Sequence, residues 1–423
     1  HELYQLDGFG GNYCFGIQSP VTQYTLGALQ MGWARTRMSL DAWEPRNDND
    51  SPEQTDWDFL TSHDKPGTNL RRELLLAQQI QRKGIPYSIT IWHLPEWLYA
   101  KPRADKHRPN RRRVHPDKWP ELLECIGSYL VYAKKQYGVE PDLFSFNEPG
   151  IGCRVLFTAE EHREAIKRLG THFAKLGLRT RMLLGDVTAF RRSIGYPQVA
   201  ARDPEAMKYV GALAFHSWGG GEPKHYEAWA DLAERLELPL LVAELGVDAF
   251  AWRGGAYRSF LYGLREVEMY QHILLYARPT ATMQWEFTSD YGIVLEQKGA
   301  DGKARLVPHA RYHFIRHFCN LTPPKADALA TASDHHRVLF TAFRGEAEGK
   351  PAVTLHIANL GAARPAVLSG VPAGISRFRA VRTSGDEAFK ELPPVAVEGG
   401  EAALTLAPQS LLTLTTMPGG ESR

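Results

Sequence analysis

Residues Leu143–Gly150 read LFSFNEPG, and four strand-forming residues lead directly into Asn-Glu-Pro. Proline has no amide hydrogen to donate to a neighbouring strand, so we expect the strand to end at Glu148. This glutamate is then placed at the C-terminal end of a strand, where α/β barrels carry their chemistry. A second such stretch, Leu240–Gly246, places Glu244 at the end of a later strand.

Strand-like and helix-like runs alternate over about 310 residues on either side of these stretches, which predicts a (β/α)8 TIM barrel. The predicted strands cover 8–15, 34–40, 86–92, 143–146, 181–186, 212–218, 238–244 and 281–286. The predicted helices cover 22–31, 70–83, 119–137, 158–177, 204–210, 225–236, 259–276 and 308–318. A doubly wound sheet is the alternative fold. It is disfavoured because the glycines of Gly8–Gly11 lack the spacing of a dinucleotide-binding loop.

After Pro323-Pro324 the pattern changes to period-two alternation with Gly and Pro turns, which predicts a β-sandwich of about 100 residues. Its strands are expected at 338–343, 352–357, 378–382 and 403–416. We expect residues 1–5 to add an edge strand to it. The predicted domains are therefore a barrel over 6–320 and a sandwich over 321–423 together with 1–5.

The composition, with 43% hydrophobic and 23% charged residues, is that of a soluble globular protein. A net charge of +2 argues against a general nucleic-acid or membrane-surface role, and no apolar run approaches the ~20 residues of a membrane span. The sequence opens at His1, which indicates a removed signal peptide or artificial trimming. We therefore expect a secreted or periplasmic monomer. The four scattered cysteines are expected to be buried free thiols, with a disulfide as the alternative.

Two strand-end glutamates are the arrangement that glycosidic bond cleavage needs. One carboxyl group protonates the leaving oxygen while the other attacks the sugar or activates water, and carboxyl groups ~5–5.5 Å apart give retention whereas wider pairs give inversion. Asn147, beside Glu148, is suited to donate its amide to a sugar hydroxyl. The structural alternative is that Glu148 and Glu244 pair with arginines at strand ends.

Further polar and aromatic residues follow the ends of the other strands. His216 is placed to hydrogen-bond a carboxylate and hold it ionised, and Trp285 to form the floor under a sugar ring. Arg37 is predicted as a fixed cation near the nucleophile, with the deeper Arg35 as the alternative. Glu286 is ranked below the other glutamates, because strand alternation points it away from the face of Trp285. The remaining candidates are Asp41, Trp43, Trp92, His93 and Trp218. Each could contact substrate or pack within a loop, and together they suggest an aromatic-lined cleft.

The tract Lys101–Arg113 is strongly basic and has a single acid, Asp105. Such a run is typical of a solvated loop. The functional alternative is recognition of a carboxylated or sulfated glycan, because guanidinium groups bind such anions with two parallel hydrogen bonds. The tract lacks interleaved aromatic residues, so a nucleic-acid site is not expected.

Asn147-Glu148-Pro149 after the fourth strand and Glu244 after the seventh resemble the motifs of clan A of the glycoside hydrolases. The opening Gly8–Gly11, Phe215–Trp218 and the terminal β-unit are most similar to glycoside hydrolase family 30, in which a side β-sandwich accompanies the barrel. The resemblance implies a retaining β-glycosidase that acts on a polysaccharide or oligosaccharide without metal or cofactor. It assigns Glu148 as acid/base and Glu244 as nucleophile.

The chain departs from family 30 in two places. Trp92–Trp97 only approximates the proline-rich run after the third strand, and many clan members have tyrosine where His216 or Trp218 stands. A divergent member with its own substrate is therefore expected. Two alternatives stay open: a family 5, 39 or 51 type enzyme with xylosidase or arabinofuranosidase activity, and a catalytically silent carbohydrate-binding barrel.

Overall fold

The computed structural model describes residues 2–100, 110–299 and 301–419. Eight parallel strands follow the short strand β1 (Glu2–Leu6), and they close into a barrel in which the first strand pairs with the last. The prediction of a TIM barrel is therefore confirmed. The barrel strands are β2 (Gly8–Tyr13), β3 (Ala34–Arg37), β4 (Tyr87–Ile91), β5 (Leu143–Phe146), β6 (Arg181–Val187), β7 (Val210–His216), β8 (Leu240–Leu245) and β9 (Ala281–Gln284).

The helices that surround the barrel begin and end with the predicted local signals. Thr158 and Glu161 form the predicted capping box, in which each side chain accepts a hydrogen bond from the backbone N–H of the other. Gly138, in the left-handed conformation at φ 67°, ends the helical stretch that begins at Trp119. The helices are α1 (Pro20–Ala28), α2 (Leu40–Trp43), α3 (Trp57–Thr61), α4 (Asn69–Arg82), α5 (Trp119–Tyr132), α6 (Ala159–Lys175), α7 (Gly195–Ala201), α8 (Pro204–Met207), α9 (Pro223–Arg235), α10 (Phe260–His272) and α11 (Ala310–Leu321). Five-residue π-helical turns extend α5 and α10, and α2, α3 and α7 were not predicted.

The inside of the barrel changes character along its axis. Towards the beginnings of the strands, apolar side chains fill it, and polar side chains occupy the strand ends. The apolar set is Leu143, Leu183, Ala212, Ala214, Leu241, Ala243, Ala281 and Met283. Because most polar groups at the other end are buried, we expect them to hydrogen-bond largely with one another.

A second domain follows the barrel and is a sandwich of antiparallel strands, as predicted. Its main sheet has the order β1-β12-β13-β14-β19-β16-β17, and a small second sheet pairs β15 with β18. The strands are β12 (Ala326–Leu329), β13 (Val338–Ala347), β14 (Lys350–Asn359), β15 (Arg364–Leu368), β16 (Arg377–Thr383), β17 (Lys390–Ala396), β18 (Ala402–Leu406) and β19 (Ser410–Thr415). The barrel itself carries an additional hairpin of β10 (Val294–Lys298) and β11 (Ala304–Pro308).

The contact between the two domains includes a chain of hydrogen bonds through two histidines. His317 on α11 bonds Thr413 through Nδ1 at 2.8 Å and Thr383 through Nε2 at 2.9 Å. His356 on β14 bonds the same Thr413 hydroxyl through Nδ1 and Thr322 through Nε2, both at 2.8 Å. All five side chains are buried, so these contacts are shielded from water.

All four cysteines are free thiols, and three of them are buried. Among the described residues, no helix is both long and apolar enough to cross a membrane.

Candidate active site

Glu148 and Glu244 lie at the same end of the barrel, with His216 between them. One carboxylate oxygen of each glutamate and a ring nitrogen of His216 all lie within 4.8 Å of one another. His216 Nδ1 is 3.1 Å from Glu148 Oε1 and 3.2 Å from Glu244 Oε2. A single imidazole N–H is therefore shared by the two carboxylates that the sequence predicts as the catalytic pair.

The backbone at Glu148 turns out of the strand direction just after β5 ends. Its φ of 45° lies in the left-handed region, which costs a non-glycine residue about 1–3 kcal/mol. The Glu148 N–H donates to the carbonyl oxygen of Asp186 at 3.0 Å, which ties this turn to β6. The position of the Glu148 carboxylate thus depends on the neighbouring strand as well as on its own.

Both oxygens of Glu244 accept hydrogen bonds, and its side chain is only 5% exposed. Arg35 Nη1 donates to Oε1 at 2.8 Å, and Trp218 Nε1 donates to Oε2 at 3.0 Å. Burial disfavours the charged carboxylate, but the charges of His216 and Arg35 outweigh it and lower the pKa of Glu244. Glu244 is therefore held ionised and fixed in orientation.

The cation beside Glu244 is Arg35, and the prediction of Arg37 at this position is wrong. Arg35 points into the barrel and is fully buried. Arg37 forms an ion pair with Glu73 of α4 at 3.1 Å, and its guanidinium lies 4.9 Å from the centre of the Phe15 ring. Arg37 therefore pairs with the outer helix α4, while Arg35 occupies the barrel interior.

Asp186, which was not among the residues predicted from the sequence, connects Arg35 to His216. Its Oδ2 accepts from Arg35 Nη2 at 2.9 Å and from the Ser145 hydroxyl at 2.7 Å, and its Oδ1 contacts His216 Nε2 at 2.8 Å. Burial works against protonation of His216, but the charges of Glu244 and Asp186 raise the pKa of the imidazole well above its usual value. His216 is therefore an imidazolium that donates from both nitrogens. Its position at the end of a predicted strand is the sequence feature that could have identified Asp186 as a site residue.

Asn147 and Asn12 complete the polar layer around the guanidinium. The side-chain oxygens of Asn147 and Asn12 accept from Arg35 at 2.7 and 3.0 Å. Asn147 is buried beside the guanidinium and also hydrogen-bonds the Cys153 side chain, so its role as a sugar contact stays a prediction. Asn12 was also not predicted, since it lies inside a glycine-rich strand without a recognisable motif.

Aromatic rings pack together beside Glu244, which Trp218 contacts directly. Trp92 and Trp285 have ring centroids 5.8 Å apart, and Trp285 is 6.4 Å from Trp218. Phe15 packs edge-on against Trp92 at 5.1 Å, and the guanidinium of Arg35 lies 4.8 Å from the centre of the Trp92 ring. The three predicted tryptophans are thus brought together, and Phe15 is an additional member.

Asp41 and His93 form a pair in which the carboxylate oxygen and Nε2 are 3.2 Å apart, with side chains 48% and 28% exposed. They remain candidates for substrate contact. The prediction of Trp43 as a substrate contact is wrong, because α2 turns this residue into the core. Trp43 is fully buried, and its indole N–H donates to Ser128 of α5 at 2.9 Å.

Most of the basic tract Lys101–Arg113 lies outside the described residues, which resume at Asn110. The expectation of an anionic glycan contact there stays a prediction. Arg112 and Arg113 pair with Glu96 and Glu161 respectively.

The ligand atoms of Glu148, His216 and Glu244 are close enough together to surround a metal ion. However, Arg35 already places a positive charge 2.8 Å from Glu244, which opposes a second cation at this position. The charges of the site therefore favour two carboxylates balanced by Arg35 and His216 over a bound metal ion.

A barrel joined to a β-sandwich, with polar residues gathered at the strand ends, is the architecture of a class of glycoside hydrolases. The chain resembles solved glycoside hydrolase family 30 xylanases over nearly its whole length. An endoxylanase of that family from Clostridium papyrosolvens C71 has a TM-score of 0.76 at 17% identity, covering 99% of this chain and 98% of that chain. A subfamily 8 xylanase from Clostridium acetobutylicum has a TM-score of 0.74 at 15% identity, covering 98% of this chain and 97% of that chain.

An α-L-arabinofuranosidase of family 51 from Thermotoga petrophila RKU-1 is also similar, with a TM-score of 0.63 at 11% identity and 98% coverage of both chains. No protein-family model and no curated protein sequence matches the chain. At such identities the likeness shows the fold, and the chemistry rests on the residues of this site.

Proposed function

We propose that this protein is a retaining β-glycosidase that cleaves a polysaccharide or oligosaccharide. The observation that carries the proposal is the approach of a Glu148 oxygen to a Glu244 oxygen within 4.8 Å. Retaining enzymes hold their carboxyl groups ~5–5.5 Å apart, whereas inverting enzymes need ~6.5–9.5 Å to admit a water molecule. The observed approach fits the retaining class.

In the first step, Glu244 attacks the anomeric carbon while Glu148 gives its proton to the leaving oxygen. The glycosidic bond breaks and a glycosyl ester forms on Glu244. Arg35, His216 and Trp218 support this role, because they hold Glu244 ionised and aimed by hydrogen bonds. The Glu148 carboxylate left behind accepts the Nδ1–H of His216.

In the second step, Glu148 removes a proton from water as the water attacks the anomeric carbon. The ester bond breaks, the sugar leaves with its original configuration, and both glutamates return to their starting protonation states. The tryptophans beside the glutamates supply apolar faces for the sugar ring during both steps.

Substitution of each glutamate tests the proposal. Glu244→Gln is expected to remove turnover and leave the circular dichroism spectrum unchanged. Glu148→Ala is expected to slow natural substrates strongly, to spare glycosides with activated aryl leaving groups, and to regain activity with azide. Near-native activity of Glu244→Gln, or folded Glu148→Ala without azide rescue, would refute these assignments. Product analysis by NMR reports the anomeric configuration directly, and inversion would contradict the retaining mechanism.

We also propose that the protein works outside the cytoplasm, since a polysaccharide is too large to cross a membrane unaided. Activity in the secreted or periplasmic fraction of the native host is the expected result, and activity confined to the cytoplasm would contradict it.

A further inference from the structure

A second group of carboxylates lies outside the glutamate pair, between the loop that follows α2 and helix α5. It consists of Glu44, Asp48 and Glu124, which we call the acidic triad. One carboxylate oxygen from each of the three lies within 4.8 Å of the others. The proposed reaction uses none of these residues.

Two members of the triad are buried and Asp48 is half-buried. Glu44 Oε1 accepts from the Asp48 N–H at 3.3 Å and Asp48 Oδ2 from the Asp56 N–H at 2.6 Å, but other oxygens of the triad have no donor. Glu44 is fully buried, and Glu124 is 5% exposed. Neither oxygen of Glu124 nor Oε2 of Glu44 has a hydrogen-bond partner of normal geometry. The neighbouring Thr55 hydroxyl offsets only part of the effect of burial, which raises the pKa of Glu124. In the same loop, the side-chain oxygen of Asn47 is also buried without a donor. Buried acceptors without donors are rare in folded proteins, so these oxygens point to a missing positive partner.

Protein side chains do not supply that partner. In the described part of the chain, no lysine, arginine or histidine forms an ion pair with Glu44, Asp48 or Glu124. A proton can bring partial relief, because burial and the neighbouring carboxylates raise the pKa of Glu44 to about 8 and that of Glu124 to about 7. One proton satisfies only one pair of oxygens, however, and leaves the others without a donor.

We propose that the acidic triad binds a calcium ion. All three candidate ligands are oxygens, the donor that hard divalent cations prefer. Calcium takes about 6–8 oxygen ligands in flexible geometry, whereas magnesium demands near-ideal octahedral geometry and usually keeps several of its waters. A largely buried site lined by three carboxylates from a loop and a helix therefore suits calcium better than magnesium.

The ion would join the α2 loop to the helix behind it. The loop already contacts its surroundings through Trp43, which bonds Ser128 of α5, and through the Glu44 carbonyl, which accepts from Trp97 Nε1 at 3.1 Å. Asp41, at the start of this segment, pairs with His93. Calcium would therefore stabilise the wall that carries the Asp41–His93 pair.

The test uses full-length protein stripped of metal with a chelator, titrated with calcium chloride at pH 7.5 in a calorimeter. One calcium ion per chain is expected, together with a rise in Tm of roughly 3 °C or more at saturation. Glu124→Gln is expected to weaken calcium binding at least about tenfold, because an uncharged amide replaces a charged ligand. Glu121→Gln is the matched control: it lies one turn earlier on α5 and pairs with Lys118 at 3.9 Å, so it removes a nearby charge but no ligand and is expected to weaken binding far less than Glu124→Gln.

If calcium added to the metal-free protein produces neither binding heat nor a Tm shift, the proposal is overturned. The acidic triad would then hold a shared proton in place of the ion. Equal affinity for magnesium chloride would overturn the assignment to calcium. If Glu124→Gln does not fold, Asp48→Asn in the loop tests the same ligand set. Calcium binding at native affinity by Asp48→Asn would also overturn the proposal. These measurements do not depend on glycosidase activity.

Discussion

Asp186→Asn removes one charge from the buried network and preserves the size of the side chain. The aspartate accepts from two charged donors, Arg35 at 2.9 Å and His216 at 2.8 Å. An asparagine has a single acceptor oxygen, and its NH2 group would face a donor. At least one of the two charge-assisted hydrogen bonds is therefore lost.

The expected loss of activity follows from that single bond. A hydrogen bond to a charged group contributes about 1.5–3 kcal/mol, and each 1.36 kcal/mol of barrier changes the rate tenfold. Provided that the loss falls on the transition state, kcat should fall by roughly 10- to 150-fold. The substitution also lowers the pKa of His216, because one of the carboxylates that favour the imidazolium is gone.

The assay is the pH dependence of kcat and kcat/KM, measured from pH 4 to pH 9 on a glycoside identified by screening. The alkaline limb of the profile should move to lower pH, because His216 then loses its second N–H more readily. Ser145→Ala is the matched control. The Ser145 hydroxyl donates to the same aspartate at 2.7 Å, and its removal changes no charge, so this variant should keep its pH profile even if kcat falls within the same range of roughly 10- to 150-fold. A folded Asp186→Asn enzyme with native kcat and an unmoved alkaline limb would refute the reasoning.

Three further predictions concern other parts of the molecule. Trp218→Phe removes the indole donor to Glu244 and should lower kcat/KM about 10- to 150-fold, measured on the same substrate. Trp43→Phe removes a buried hydrogen bond and should lower the free energy of unfolding by about 0.5–3 kcal/mol in urea, while KM stays unchanged. Burial lowers the pKa of His356 to about 3 and that of His317 well below its usual value. Since only the unfolded chain takes up these protons, stability should be complete above about pH 6.5 and fall by up to about 1.4 kcal/mol per pH unit and per histidine as the pH drops towards 3.

The controls differ among these three. An unchanged kcat/KM in Trp218→Phe would show that the indole N–H does not assist Glu244. A large rise in KM in Trp43→Phe would restore this residue as a substrate contact. His356→Gln should remove one proton from the acid dependence of stability, and an unaltered slope in this variant would contradict the assignment.

The sequence was sufficient for features that follow from periodicity and from strong local signals. It predicted the barrel strands, the Thr158 capping box and the closeness of two strand-end glutamates. It did not distinguish Arg35 from Arg37, because period-two alternation predicts both on one face of β3 and carries no information about depth. The helix α4, which supplies Glu73, decides that choice through tertiary contacts.

Other differences between the sequence-based predictions and the structure have similar physical causes. The β6–β7 register shifts between Gly185 and Val187, and Asp186 has φ 52°, so its direction could not be derived from alternation. Strand β17 contains two prolines, which weaken a strand prediction, but it lies at the edge of the sheet, where proline is tolerated. Residues 403–416 were predicted as one strand, yet Gln409, at φ 44°, lies in the turn between β18 and β19, which belong to different sheets.

The hydrogen bonds around Thr413 impose a polarity on the contact between the domains. A neutral imidazole donates from one nitrogen and accepts at the other, and the Thr413 hydroxyl has one proton for His317 and His356. In the described residues this hydroxyl makes no other hydrogen bond, so its proton points to one histidine while the other donates to it. The donor-to-acceptor direction of this chain of hydrogen bonds therefore runs either from Thr383 to Thr322 or from Thr322 to Thr383. Reversal requires both tautomers and all three hydroxyl rotors to change together, so the tautomer of His317 on the barrel is coupled to that of His356 on the sandwich.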